Sequence, residues 1–149
     1  MVTCSAAGSG FLLAVLWFDL MFDVQARRTS APELPERVLA SIAGYYARVT
    51  TAAAPMNRLI ATVMLATLAS LVAEALEAGV STWVSCTSLA FAAAAILLAA
   101  LRTVPSAIQL GTRQDDPLRQ SVLARAILRQ HLFCFTSIAV VLVLQLASS

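Results

Sequence analysis

The chain alternates long apolar runs with shorter polar stretches. Four runs approach the roughly 20 mostly apolar residues that a lipid-spanning helix needs: residues 6–24 (AAGSGFLLAVLWFDLMFDV), 56–76, 82–101 and 131–147. Between them lie a short turn around Gly79 and two longer connections, residues 25–55 and 102–130. The pattern predicts an all-α fold, an integral membrane four-helix bundle forming a single transmembrane domain over residues 1–149. The two connections supply amphipathic helical extensions.

Both connections read as structured. In the first, Ser30 is an N-cap candidate, and Pro32, Glu33, Pro35 and Glu36 would fill the first turn, where proline sacrifices no paired N–H and carboxylates favour the positive helix end. Leu34, Val38, Ile42, Tyr45 and Val49 recur at helical spacing, a stripe suited to the membrane interface or to the base of the bundle. Tyr45 and Tyr46 fit headgroup depth as aromatic anchors. In the second connection Pro105 predicts a kink, Gly111 the end of the third helix, and Asp115, Asp116 and Pro117 a cap and first turn. No breaker comes after Pro117, so that helix can run about 30 residues into the fourth span and project beyond the bilayer.

Composition turns this pattern into a solvent. The chain is 60% hydrophobic and 12% charged, against about 25% charged in soluble domains. A water-soluble globular domain is excluded, and the lipid bilayer becomes the first partner. The net charge of +2 says little, but all ten basic residues are Arg and no basic run exceeds Arg27–Arg28, which excludes a nucleic-acid surface. Arg27, Arg28, Arg37, Arg48 and Arg58 cluster around the first connection, and Arg102, Arg113, Arg119, Arg125 and Arg129 around the second. The positive-inside rule then predicts a multi-pass protein of a bacterial-type inner membrane, with cytoplasmic connections and both termini outside. The first run has no basic n-region and carries two Asp, so it reads as a retained helix rather than a secretory signal.

Ionisable side chains inside a span cost about 2.5–3.5 kcal/mol each at the helix centre and usually face the protein interior. Asp19 and Asp23 lie one turn apart on one face of the first helix. The other spans place Asn57, Arg58, Arg102, Thr103, Gln130 and His131 at the same depth. Two readings are open. In one, Asp19 and Asp23 pair with Arg58 and Arg102, lowering insertion cost and setting register. In the other, the cluster is a water-reachable pocket: Asp19 and His131 are the catalytic proton-transfer groups, and Trp17, Asp23, Tyr45, Asn57, Arg58 and Arg102 bind substrate, with Trp17 and Tyr45 as apolar walls.

Further polar positions carry less. Glu74 and Glu77, with Ser81, Thr82 and Ser85 opposite, most simply close the short turn. Trp83 reads as an interfacial belt residue, and the small side chains of residues 91–100 let helices approach closely. Cys4, Cys86 and Cys134 form no C-x-x-C pair and read as small buried hydrophobes, with a Cys4–Cys86 bridge left open. His131 is the only His, so bis-His haem ligation and di-iron or copper sites are not expected, and neither a metal nor a cofactor is assigned.

The stretch RTVPSAIQLGTRQDDPLRQ resembles the anthrone oxygenase-like family of small four-helix membrane proteins. The resemblance covers residues 102–131 and rests on Val104, Pro105, Leu110, Asp116, Pro117, Arg129 and His131. Thr103 and Ser106 stand where that family usually has Asn, and the WFDLMFD segment has no counterpart there. The resemblance implies the fold and, for some members, cofactor-independent oxygenation of a phenolic polycycle. Three functions are therefore weighed: such an enzyme acting on a lipophilic aromatic ligand; a small proton-coupled carrier; and an accessory or scaffold subunit whose Ala-rich faces pack in a homo-oligomer or on a membrane-protein partner.

Overall fold

The computed structural model describes residues 2–27, 29, 31–52, 54–76 and 82–148; Arg28, Ser30, Glu77, Gly79 and Ser81, singled out above, lie outside them. All regular structure among the described residues is helical. Helix α1 (Val2–Asp23) ends in a 3₁₀ turn, Val24–Arg27. Helix α2 (Glu36–Ala47) leads through a π-turn, Arg48–Ala52, towards α3 (Ala54–Leu76). Helices α4 (Thr82–Leu98) and α5 (Val104–Thr112) are joined by a second π-turn, Ala99–Thr103, and α6 (Pro117–Ala147) closes the fold. Four helical stretches are long and apolar enough to cross a membrane: Thr3–Arg27, Pro55–Leu76, Thr82–Thr112 and Pro117–Ala147. The architecture is that of a small multi-pass membrane protein.

The spans form a closed ring in which α1 packs on α3 and α6, and α4 packs on the same two helices. Neighbours run antiparallel, since Ser5 at the start of α1 meets Glu74 near the end of α3 and Gln145 near the end of α6. Close approach is built in where a side chain would not fit. A Cβ on Gly8 would lie 2.1 Å from Thr67 Oγ1, so glycine lets α1 settle against α3.

Two spans outlast the bilayer. At 1.5 Å per residue, a 31-residue helix such as α6 is about 46 Å long, against a hydrocarbon core of about 30 Å. Helix α2 packs on α5 and α6 at the Arg-rich end, burying Val38, Leu39, Ile42 and Ala43 against Ala107, Leu110, Leu123 and Ile127. The α2 stripe thus makes the base of the bundle. Leu34 N donates to Ser121 Oγ at 2.9 Å and Arg125 Nη1 to the Pro32 carbonyl at 2.7 Å, strapping the incoming segment to α6. An exposed Arg113–Glu36 ion pair links the α5 end to the start of α2.

Two local expectations are corrected. Helix α2 begins at Glu36, not near Ser30, with Pro35 in the cap position and no side-chain cap. The reason is that residues preceding proline are driven out of the α region, and Ala31 and Leu34 each precede one. The third span does not end at Gly111: helix continues to Thr112, and Arg113 terminates it with a left-handed φ of 57°. Gly111 instead serves packing, since a Cβ there would sit 3.0 Å from the backbone N of Ala47. Where a kink was expected at Pro105, the regular α-helix is broken just before it by the π-turn Ala99–Thr103; proline lacks the N–H that would bond the carbonyl four residues back. Asp116 caps α6 as expected, its carboxylate accepting from Arg119 N at 3.0 Å.

Outside-in polarity is the consequence of the solvent. Large apolar side chains such as Leu65, Leu76, Leu97 and Val143 point outward, whereas Ser5, Ser9, Thr67, Glu74, Ser88, Ser137 and Gln145 are buried between the spans. Cys134 is buried, but Cys4 and Cys86 are exposed rather than buried, and all three are free thiols. The Ala run contributes as expected, with Ala92 and Ala95 buried.

Candidate functional site

The Arg-rich end holds a polar network contributed by α1, α2 and α6. Helical spacing puts Asp19 and Asp23 on one face of α1, and α2 aims two adjacent tyrosines at them. Tyr45 donates to Asp19 Oδ1 at 2.6 Å, and Tyr46 donates to Asp23 Oδ1, also at 2.6 Å. His131 Nδ1 lies 2.6 Å from Asp23 Oδ2, and Nε2 lies 3.8 Å from Asp19 Oδ2. Asp23 is fully buried and both its oxygens are engaged.

Proton accounting gives the imidazole a direction. A carboxylate only accepts hydrogen bonds, so with Asp23 ionised Nδ1 carries the proton of the short contact. Nε2 is then the nitrogen available for proton transfer, because each ring nitrogen's role is set by the bond the other makes. The two phenols are donors throughout the physiological range. Burial first, and then the neighbouring carboxylates, push Tyr45 and Tyr46 well above the ordinary tyrosine value. Tyr45 is further held by Phe22, stacked at a centroid distance of 4.1 Å and 9° between planes.

Beside this network lies a cavity of about 560 Å³, within the 300–1,000 Å³ range of small-molecule sites. Its polar lining includes Asp19, Tyr45, Tyr46, Asn57 and His131, and most of the remaining lining is apolar, Leu12, Met64, Ala95 and Ile138 among it. Both π-turns border it through Val49, Thr50, Ala99 and Thr103, and such widened turns are frequent at functional sites. Part of the wall is also outer surface: Phe18, Met56, Val104 and Ile108 line the cavity and are exposed on the bundle exterior. There α3 packs on α1 and α4 but not on α5.

Asp19, Tyr45, Asn57 and His131 therefore share one cavity. Asp23 does not line the cavity but is bonded to His131 and Tyr46, which do. Asn57 reaches the cavity, but its amide nitrogen is engaged, donating to the Thr50 carbonyl at 2.8 Å. Trp17 points out of the bundle, 60% exposed, with its ring 6.3 Å from Phe135, so it does not wall the cavity. Arg58 and Arg102 are exposed and form no ion pair with Asp19 or Asp23 among the described residues. Hydroxyl and imidazole partners have taken the place expected of the arginines: long cationic side chains reach the polar end more cheaply than they bury.

Tyr46 is the residue that sequence reasoning treated only as an anchor. Its signal was adjacency to Tyr45 on a helix with both stripe and polar faces, which does not say where the ring points. No three His, Cys, Asp or Glu side chains gather into a metal-binding group among the described residues. No family model matches the chain, and no curated protein or solved structure matches it either.

Proposed function

We propose that the protein is a membrane enzyme that transfers protons to and from a lipophilic, phenol-like substrate held in the bundle cavity. The observation that carries this reading is the Asp23–His131 pair opening onto an apolar cavity large enough for a fused-ring molecule. A base oriented by a buried carboxylate and facing a largely apolar pocket is an arrangement suited to general acid–base work. His131 Nε2 removes a proton from an activated C–H or O–H, Asp23 holds the ring in register, and Tyr45 orients Asp19 in the cavity wall. The exposed cavity-lining side chains Phe18, Met56, Val104 and Ile108 support entry from the lipid.

The resemblance over residues 102–131 suggests the step after deprotonation. The substrate anion reacts with dioxygen, so that a CH₂ group becomes a carbonyl; one oxygen atom enters the product, and the other leaves as water with the two substrate hydrogens. The chain's own part is to bind the ring, remove the proton and hold the anion. The Arg distribution supports a bacterial-type inner membrane with the site towards the cytoplasm; labelling of Cys4 by an impermeant maleimide from outside intact spheroplasts is expected, and labelling only after lysis would reverse the topology.

The test uses purified protein in detergent with anthrone as probe, tracking deuterium exchange at the activated carbon and oxygen uptake. Wild type should accelerate both, and His131→Ala should lower the rate by roughly 10²–10⁴-fold, the usual worth of a general base. Unchanged rates in His131→Ala, or no exchange above buffer in wild type, would refute the assignment.

A further inference from the structure

The Arg-free end of the bundle contains a second buried polar group that the proposed chemistry does not use. Ser5 Oγ lies 2.7 Å from Glu74 Oε1 and 3.0 Å from Gln145 Oε1, and Gln145 Nε2 donates to Ser88 Oγ at 3.3 Å. Glu74 is only 1% exposed. Three oxygens here are buried without a hydrogen-bond partner among the described residues: Glu74 Oε2, Ser9 Oγ and Ser85 Oγ. Ser9 is one turn along α1 from Ser5, and Ser85 one turn along α4 from Ser88, so each stands one helical turn from a member of this network.

We propose that these residues form a binding site for a small, hard monovalent cation of the sodium class, with Glu74 as its charged ligand. Charge comes first. Every Arg and the only His belong to the other half of the spans or to the connections, and the chain has no Lys; a buried carboxylate there has no cationic side chain to compensate it, and an uncompensated buried charge is very costly.

The hydroxyls point the same way. Elsewhere in these helices Thr62, Thr67, Ser121 and Thr136 donate to the carbonyl four residues back, the usual way to satisfy a hydroxyl in an apolar helix. Ser9 and Ser85 do not, although both are buried. Their lone pairs remain for a ligand. Donor chemistry then sets its class: carboxylate, hydroxyl and amide oxygens are hard ligands, and one carboxylate balances one positive charge, whereas calcium sites gather several carboxylates.

The experiment is thermal unfolding of the purified full chain in detergent, in NaCl, KCl or choline chloride at equal ionic strength. Wild type should gain a saturable, sodium-specific rise in Tm, on the order of 5 °C once sodium far exceeds Kd. Glu74→Gln should abolish that rise, and Ser85→Ala should weaken it severalfold in sodium affinity. Should Glu74→Gln fail to fold, direct binding of radioactive sodium to wild type and Ser85→Ala decides. Equal rises in all three salts, a sodium rise retained in Glu74→Gln, no sodium binding, or stabilisation of wild type by acid alone with no sodium effect would each overturn the proposal; the last would make a proton the only counter-charge. His131→Ala should keep the sodium response, so failure here and failure of the enzymatic reading are separable.

Discussion

The two ends of the bundle bury carboxylates in opposite ways. At the Arg-rich end Asp23 has both oxygens engaged, by Tyr46 and His131, and the network borders a cavity. At the Arg-free end Glu74 has one oxygen engaged by Ser5 and the other without a partner among the described residues. The difference teaches that burial alone says nothing about role. A carboxylate met by a phenol and an imidazole has both oxygens occupied, whereas one met by a single hydroxyl keeps an oxygen without a partner among the described residues. Basic side chains explain neither, because the arginines among the described residues lie at the surface or on backbone carbonyls, as Arg125 does on Pro32.

The sharpest way to break this contrast is to remove one donor or one carboxylate from each end. Asp23→Leu should be the most damaging, costing about 3–5 kcal/mol, because it leaves a buried His131 and the Tyr46 hydroxyl without their shared partner. Denaturant unfolding in mixed micelles would show it; a loss below about 1 kcal/mol would mean the network is slack. Tyr46→Phe leaves Asp23 Oδ1 without its donor and should cost about 1–3 kcal/mol. Gly111→Ala probes how tightly the cap holds α2 in register, since its new Cβ meets Ala47 backbone rather than a movable side chain. Overpacking there should cost about 1–3 kcal/mol and slow proton exchange on the probe by displacing Tyr45 and Tyr46.

At the other end Glu74→Gln, measured without sodium, should be neutral or stabilising by about 1 kcal/mol, because it replaces a buried carboxyl group that no cationic side chain accompanies among the described residues. Strong destabilisation in choline chloride would erase the contrast between the ends. The smallest effect concerns the phenols. The chain has only two Tyr, and with both pushed up from an ordinary value near 10, the folded protein should show almost no tyrosinate absorbance at pH 10–11. Linkage fixes the sign: the unfolded chain loses these protons first, so stability is unchanged below about pH 10 and falls above it. Half-titration near pH 10 with the fold intact would contradict the buried hydrogen bonds to Asp19 and Asp23.

Much of the fold was legible because lipid is a simple solvent. Runs of apolar residues locate spans whatever their neighbours are, and the Asp116–Pro117 start of α6 is a local capping signal that needs no tertiary context. The Asp19–Asp23 pair was equally plain, since helical periodicity alone puts both on one face. Their partners were not. Arg58 and Arg102 have the right charge at the right depth, yet sequence cannot weigh the cost of burying a guanidinium against a rotation that leaves it at the surface. Tyr46 was hidden for a related reason: a tyrosine near a headgroup region can face lipid or protein, and which it does depends on how α2 sits on α5 and α6.

The sequence by itself determined the solvent, the helices, the face of α1 that carries the acids and the end at which the arginines gather, because each is a property of composition or of a single helix's period. Only the tertiary structure decided that α2 folds back as a cap, that Tyr45, Tyr46 and His131 rather than arginines meet the aspartates, that a cavity remains between them, and that Glu74 is sealed between α1, α3 and α6. Those outcomes depend on packing between elements distant in the chain, where contacts such as Gly111 against Ala47 set positions to within an ångström, and no local pattern encodes them.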